Sequence, residues 1–449
     1  MRSVVKYNSG SMTTLPRLEK IGTYLSEHRG RKGRDGIAAV AVAFGDTTDD
    51  VAHSLYLRKA ANGPNSFRAD PEYLFRRYGN LVSDLHDEHL NKFMDAIYRS
   101  CSPYFSGEAD HLQQWLLALP DRAAAYVLHA YLRQAGIQST LADVTDTLFP
   151  VILPKRGTAD EVDLEESRKI AAAYALHLKN GILVVPGGVG VYGREVRTLG
   201  RGGGDTTAAT LGYTLGAEDV TFVSRSPLTA APRRFVDDAP PVDEIDLKEA
   251  EVAGAFGAGL QTDRAVEPLG AFFAANPHGR VRITDDDMNH ATRINPDATP
   301  VTVRFIVSTD IERYGMRGNV GAVFARLCDT PADWFDLGGR SRYQNIGVSL
   351  RGRELVRDVL EAAVRAGEIM VAYSGNEDAY IAAAGSGMLG GMDIERRAKA
   401  ALTDVDIFKT PDASSIGRKS GVIEVVVDKA DEPKVVQAWY RELIEKPAA

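Results

Sequence analysis

The chain has 449 residues, enough for roughly two to four domains, and its hydrophobic content of 44% can fill more than one core. Its formal net charge of −8 argues against nucleic acid or an anionic membrane surface as the main partner. The cysteines, Cys101 and Cys328, stand far apart in the sequence, which excludes a disulfide framework and a CxxC metal site.

The same features indicate a cytoplasmic protein. The residues from Met1 to Lys6 lack the apolar core of a signal peptide. No stretch of the sequence approaches the roughly 18 apolar residues that span a bilayer. We therefore expect a reducing, cytoplasmic setting, with neither a membrane nor nucleic acid as a partner.

Strands alternate with helices over the first part of the chain. The predicted elements are, in order, strand Val4–Tyr7, helix Leu15–His28, strand Ile37–Phe44, a helical region from Asp50 to Ala135, strand Val151–Leu153, helix Leu164–Leu178, strand Gly181–Pro186, helix Thr206–Leu215 and strand Asp219–Ser224. This alternation indicates βαβ units, and therefore a mostly parallel sheet with helices on both faces. We predict an α/β domain over residues 1–295.

A turn-rich linker near Asn295–Pro300 leads into two shorter units of similar order. Their predicted elements are strand Val301–Ser308, helix Gly318–Cys328, strand Asn345–Leu350, helix Arg353–Ala366 and strand Met370–Tyr373, then strand Asp378–Ala384, helix Asp393–Leu402, strands Val405–Phe408 and Gly421–Val427, and helix Glu432–Ile444. The pattern predicts two α+β domains, at residues 301–374 and 376–449.

The most informative motif is the sequence LGRGGGDTTAA at residues 199–209. Consecutive glycines let the backbone approach an anion closely, and the helix that follows offers N–H groups and the positive end of its dipole. Arg201 adds a planar cation that can grip a carboxylate or phosphate through two hydrogen bonds. Asp205, in the first turn of the helix, can hold an ammonium group or take a proton.

This motif resembles the LGRGGSD-type motif of the aspartokinases, which belong to the amino acid kinase family. The resemblance implies an amino acid kinase-like catalytic domain followed by two ferredoxin-like ACT domains, which sense small molecules. A generic ferredoxin-like dimerisation module remains the alternative for the C-terminal units.

The residues implied to bind the substrate amino acid are well kept. Arg201 and Asp205 match the family motif without departure. Asp121 stands where the family has a glutamate, and Thr48 corresponds to a threonine that helps to bind the amino acid. Asp121 and Thr48 could equally be helix N-caps.

The residues implied to bind the nucleotide depart more. Lys6 and Ser11 match the KFGGTS segment, but Asn8 and Ser9 replace its paired glycines. The family's TDVDGVYTADPR segment keeps only its second half, and its KVLHP lysine is Gly259 here. The resemblance implies a nucleotide site at Ser11, Gly202, Gly203, Gly204, Arg225 and Arg233.

The resemblance therefore implies a phosphotransferase that uses ATP and Mg²⁺ to phosphorylate the side-chain carboxylate of L-aspartate or a related amino acid, with Lys6 and Asp205 as its catalytic residues. It further implies a homodimer with an amino-acid effector at the ACT-like domains. The alternative is an inactive or repurposed homologue that binds an aspartate-like metabolite without ATP. We expect the acidic run before His290 to be a solvated loop and not a metal site.

Overall fold

A computed structural model describes most of the chain. The described residues are 2–30, 36–44, 51, 71–105, 113–146, 148–154, 161–328, 334–340, 343–350, 353–388, 392–403 and 421–446. None of the helices in these ranges is both long and apolar enough to cross a membrane.

The chain forms two compact units. The N-terminal unit comprises residues 1–225 and 264–288, and the C-terminal unit comprises residues 226–263 and 289–449. Each unit combines two separate stretches of sequence, whereas the predicted domains at 1–295, 301–374 and 376–449 are continuous stretches. The limits of those domains stay predictions.

The strands are numbered in chain order. They are β1 Arg2–Lys6, β2 Gly36–Ala41, β3 Ser139–Leu141, β4 Ile182–Pro186, β5 Val189–Tyr192, β6 Glu195–Thr198, β7 Asp219–Val223, β8 Glu244–Ile245, β9 Arg280–Thr284, β10 Ala291–Ile294, β11 Phe305–Gly318, β12 Trp334–Arg340, β13 Tyr343–Ser349, β14 Ile369–Ala384 and β15 Val422–Asp428.

The helices are numbered in the same way. They are α1 Leu15–Gly30, α2 Pro71–Leu85, α3 Glu88–Phe105, α4 Gln113–Gln134, α5 Leu164–Ala171, α6 Ala175–Asn180, α7 Gly203–Thr214, α8 Leu247–Ala255, α9 Val266–Ala275, α10 Val320–Cys328, α11 Arg353–Arg365, α12 Met392–Ala400 and α13 Glu432–Trp439.

A parallel sheet forms the centre of the N-terminal unit. Its strands lie in the order β3-β4-β2-β1-β7-β9, and every neighbouring pair in that series is parallel. Strands β2, β4 and β7 are buried along their whole length, as expected for apolar strands covered on both faces. Because all these strands run in one direction, their carboxyl ends meet at one edge, where ligands bind in open α/β sheets.

The C-terminal unit has an antiparallel sheet in the order β12-β13-β11-β14-β15. Residues of β11, β13 and β14 share a core with α10 and α11, in which Met316, Val323, Ile346 and Leu360 are buried. The predicted fold class, a parallel α/β sheet followed by ferredoxin-like α+β structure, is confirmed.

Several elements differ from the prediction. The strands expected at Met370–Tyr373 and Asp378–Ala384 form the single strand β14, because β11 pairs along nearly its whole length. The hairpin β5–β6 was not predicted. The expected strand Val151–Leu153 contributes only a bridge between Ile152 and Val191. The strand expected at Val405–Phe408 lies outside the described residues.

A buried ion pair fixes α4 within the N-terminal unit. The guanidinium of Arg122 donates from Nε and Nη2 to both carboxylate oxygens of Asp143, at 2.8 and 2.7 Å. It also lies over the ring of Trp115, 4.2 Å from the centroid. Burial alone would raise the pKa of Asp143, but the hydrogen bonds from Arg122 hold it below its ordinary value. The pair therefore stays charged and orients the segment that contains Asp121.

The substitution Asp143→Asn should lower the free energy of unfolding by roughly 3 kcal/mol, because it leaves the Arg122 guanidinium buried without its counter-charge. Urea unfolding at pH 7 measures the loss. The exposed pair Arg197–Glu195 provides the control, and Glu195→Gln should cost about 0.5 kcal/mol or less. Equal losses in the two variants would contradict the role of the buried pair.

Candidate active site

Lys6 and Asp205 form a buried ion pair at the carboxyl edge of the parallel sheet. Lys6 is the last residue of β1, and Asp205 lies in the first turn of α7. The Lys6 Nζ atom is 2.7 Å from Oδ1 of Asp205, and the two side chains are only 5% and 0% exposed. A buried ammonium and a buried carboxylate each need an opposite charge, so the pair holds the start of α7 against the end of β1.

Glycines let α7 approach the sheet this closely. Gly202 precedes the helix in a left-handed conformation, with φ of +69°, which is unfavourable for residues with a side chain. A Cβ on Gly204 would lie 2.3 Å from Cγ1 of Val42, and one on Gly203 would lie 2.7 Å from the Cα of Gly188. The three-glycine motif is therefore required for packing, whatever it binds.

Asp121 is the second buried carboxylate of the site. Its Oδ1 accepts a 2.9 Å hydrogen bond from the N–H of Ala43, just after β2. The neighbouring contacts explain its position: the Tyr78 hydroxyl donates to the carbonyl of Pro120 and accepts from the N–H of Phe44. Helices α2 and α4 and the end of β2 are thus joined beside this carboxylate.

Gly188, in the turn after β4, brings these parts together. A Cβ on Gly188 would lie 3.5 Å from Oδ2 of Asp121 and 3.6 Å from the backbone nitrogen of Gly204. Its φ is +69°, and its N–H donates to Oγ1 of Thr207. The glycine turn, the carboxylate and the start of α7 therefore border one small volume.

Burial shifts the protonation of Asp121. Loss of solvent raises the pKa of its carboxyl to about 7, although the hydrogen bond from Ala43 and the nearby Lys6 ammonium both oppose the rise. The carboxyl of Asp121 is thus poised to titrate near neutral pH. Such a combination of burial and a nearby charge is common at functional sites.

The loop after β1 has its own hydrogen bonds. The N–H groups of Gly10 and Ser11 donate to Oδ1 of Asn8, at 2.7 and 3.0 Å. The Ser11 hydroxyl donates to the carboxylate of Asp286, and Nδ2 of Asn8 lies 3.5 Å from the same oxygen. Asp286 belongs to the loop after β9, so it too lies at the carboxyl edge of the sheet.

The other predicted site residues differ in their burial and in the unit to which they belong. Arg201 is half-buried in the turn before α7, and Arg225 is exposed just after β7. Arg233 is exposed and belongs to the C-terminal unit. Thr48 lies outside the described residues.

Residues that sequence reasoning did not assign to the site are Gly188, Val42, Ala43 and Asp286. Glycine in the segment GGVG at 187–190 was a visible signal for Gly188. Asp286 falls in the acidic run that was expected to be solvated, and although it is exposed, it contacts the loop after β1. Only knowledge of the strand order could have placed it there.

Comparison with known proteins decides the family. A sequence model of the amino acid kinase family matches residues 1–272, which is more than half of the chain. The chain belongs to the amino acid kinase family. No curated protein sequence matches the chain significantly.

Solved structures of this family share the fold along the whole chain. Escherichia coli aspartokinase III in complex with aspartate and ADP is 17% identical with a TM-score of 0.72, over 99% of this chain and 100% of that one. The same enzyme with lysine and aspartate is 18% identical, with a TM-score of 0.67 over 98% and 99%. Clostridium acetobutylicum aspartate kinase is 17% identical, with a TM-score of 0.65 over 98% and 99%. The fold is therefore aspartokinase-like.

Substituting Gly204→Ala should lower the free energy of unfolding by about 2 kcal/mol, because the new Cβ collides with Val42. The double variant Val42→Ala/Gly204→Ala should regain most of that loss. Urea unfolding of the two single variants and the double variant measures the coupling. Additive losses would show that the collision is not the cause.

The stability of the protein should fall as pH rises from about 4 to about 7 through Asp121. The folded protein keeps this proton up to about pH 7, whereas the unfolded chain releases it near 3.9, so deprotonation favours unfolding. Asp121→Asn retains the acceptor for Ala43 and removes the titration. The variant should gain on the order of 3 kcal/mol over the native protein between pH 4.5 and pH 8, measured by urea unfolding. A constant difference across this range would contradict the prediction.

Proposed function

We propose that this member of the amino acid kinase family is an aspartokinase-like phosphotransferase. It would transfer the γ-phosphoryl group of ATP to the side-chain carboxylate of L-aspartate or a related amino acid. The observation that carries the proposal is the buried Lys6–Asp205 pair beside Asp121 at the carboxyl edge of the sheet. The E. coli relative of the same fold binds aspartate and ADP.

On the amino-acid side, Arg201 would grip a carboxylate of the substrate through two hydrogen bonds. Asp121 would receive the ammonium group, which favours its ionised form and lowers its pKa. Its carboxylate is one methylene shorter than the glutamate of the resembled motif, so the position of the acceptor can differ. Thr48 remains a predicted contact on this side.

On the phosphate side, Lys6 would neutralise the oxygens of the transferring group, and Asp205 would hold the ammonium in place. The N–H groups of Gly202 and Gly204, at the start of α7, together with Ser11, are suited to phosphate oxygens. Gly203 remains a predicted contact, although its N–H donates to the carbonyl of Gly200 at 3.1 Å. Arg225 and Arg233 remain predicted nucleotide contacts. ATP supplies the phosphoryl group, and Mg²⁺ can bind largely through its phosphates.

In the proposed reaction, a carboxylate oxygen of the amino acid bonds to the γ-phosphorus while the bond from phosphorus to the ADP oxygen breaks. The products are an acyl phosphate and ADP. The protein mainly positions the two reactants and balances their charge, which is how phosphoryl transfer is generally catalysed. We propose further that the protein acts as a cytoplasmic homodimer with an amino-acid effector at its ACT-like region.

A second candidate function is the binding of an aspartate-like metabolite without ATP. One observation favours it: the N–H groups of Gly10 and Ser11 donate to Asn8, so they are already used within the protein. The replacement of the family's lysine by Gly259 also favours binding without ATP, because it removes a cation from the implied phosphate site. A calorimetric titration with aspartate in the absence and presence of ADP separates the two candidates.

Hydroxylamine trapping tests the phosphotransfer. The protein incubated with ATP, Mg²⁺ and L-aspartate should yield a hydroxamate, and Arg201→Ala should lower kcat/KM at least 100-fold because it removes a two-bond anchor. Glu195→Gln, which changes an exposed ion pair, should retain native activity. Absence of hydroxamate with aspartate and related amino acids, together with aspartate binding that does not require ATP, would favour the second candidate.

A further inference from the structure

The segment from Asp285 to Met288 lies in the loop after β9 and contacts the loop after β1. Asp286 accepts a hydrogen bond from the Ser11 hydroxyl, and the Asn8 side-chain amide lies 3.5 Å from the same oxygen. Both loops follow the carboxyl ends of parallel strands of one sheet, where phosphate-bearing ligands bind in folds of this class.

The acidic segment is held in this position by its own structure. Met288 has a φ of +55°, which a residue with a side chain rarely adopts, and its side chain packs against the core of the N-terminal unit. Its N–H donates to the carbonyl of Asp285 at 3.1 Å. Asp287 pairs with Lys20 of α1. The contact of Asp286 therefore has a defined geometry.

Three donors of the loop after β1 are used within the protein. The N–H groups of Gly10 and Ser11 donate to Asn8, and the Ser11 hydroxyl donates to Asp286. These are the N–H and O–H donors that a phosphate group would need from this loop. A carboxylate oxygen occupies the acceptor position that a phosphate oxygen would take at Ser11.

We propose that Asp286 is an internal anion that, with Asn8, closes the loop after β1 and competes with the phosphates of the nucleotide. This proposal rests on the proposed function, because it concerns the nucleotide side of that site. A nucleotide must move the Asp286 carboxylate away before its phosphates reach Ser11. Only the open fraction of the protein then binds, and the apparent dissociation constant rises by the inverse of that fraction.

The contact also opposes a polyanion by its charge, because like charges at hydrogen-bonding distance repel. Asp286 is therefore a determinant of nucleotide affinity that acts without being a phosphate ligand itself. Removing the charge with Asp286→Asn leaves the size of the side chain unchanged. Asn8→Ala removes the side-chain oxygen that accepts from the N–H groups of Gly10 and Ser11, and leaves only the backbone carbonyl of residue 8 as an acceptor for Ser11.

Calorimetric titration with ADP and Mg²⁺ tests the proposal. Asp286→Asn and Asn8→Ala should each bind ADP at least fivefold more tightly than the native protein, and inorganic tripolyphosphate should show the same gain. Adenosine, which has no phosphates, should show none. Asp287→Asn is the matched control: it removes the same charge from the next residue, whose pair with Lys20 is exposed, and it should change ADP affinity less than twofold.

Hydrogen exchange provides a readout that needs no ligand. The amide of Gly10 should exchange at least tenfold faster in Asn8→Ala, because its side-chain acceptor is lost. The amide of Ser11 should change less, because it also donates to the backbone carbonyl of Asn8 at 3.1 Å. Unchanged ADP affinity in both variants, or an equal gain in Asp287→Asn, would overturn the proposal.

The outcomes also separate this inference from the proposed function. If the native protein forms hydroxamate while ADP affinity is unchanged in Asp286→Asn, the proposal that Asp286 competes with phosphates is wrong and the proposed phosphotransfer stands. If Asp286→Asn tightens ADP binding while neither protein forms hydroxamate with any amino acid, the phosphotransfer fails and the internal anion stands.

Discussion

The burial of the Lys6 ammonium is the constraint on which the N-terminal unit depends. A charge removed from water must be balanced nearby, and Asp205 does this at 2.7 Å. That short distance requires α7 to start directly above the end of β1, which only glycines at 203 and 204 permit. Burial raises the pKa of Asp121 to about 7, and the nearby Lys6 ammonium only partly opposes that rise.

Much of the fold could be predicted because its local and long-range requirements agree. Continuous apolar runs marked β2 and β4 as strands, and the alternation of strands with helices marked β7; the positions of all three were correct to within a few residues. The sequence at 374–377 is polar and resembles a turn, yet its backbone stays extended within β14. The ladder with β11 has an irregularity at these positions, because Glu312 pairs with Glu377 and Tyr314 with Tyr373. Pairing with β11 on both sides of the irregularity joins the two predicted strands, and a single-sequence pattern contains no information about that partner.

The part of the site that lies within one sequence motif could be predicted. Arg201, the glycines and Asp205 lie within five positions, and Lys6 was expected from its place at a strand end. Asp286 could not be found in this way, because 275 positions separate it from Ser11 and the two meet only through the strand order. Asp121 was expected as a substrate contact, but its raised pKa comes from its burial in the folded protein, which no spacing reveals.

The length of β11 and β14 has a mechanical consequence for the C-terminal unit. These strands have 14 and 16 residues, about 45 to 55 Å when extended, and they pair along nearly their whole length. Strand β14 continues through the sequence positions at which the first predicted module would end and the second would begin. The two predicted modules therefore share one five-stranded sheet, and truncating the chain after the first module would cut through β14 and remove part of the strand that pairs with β11.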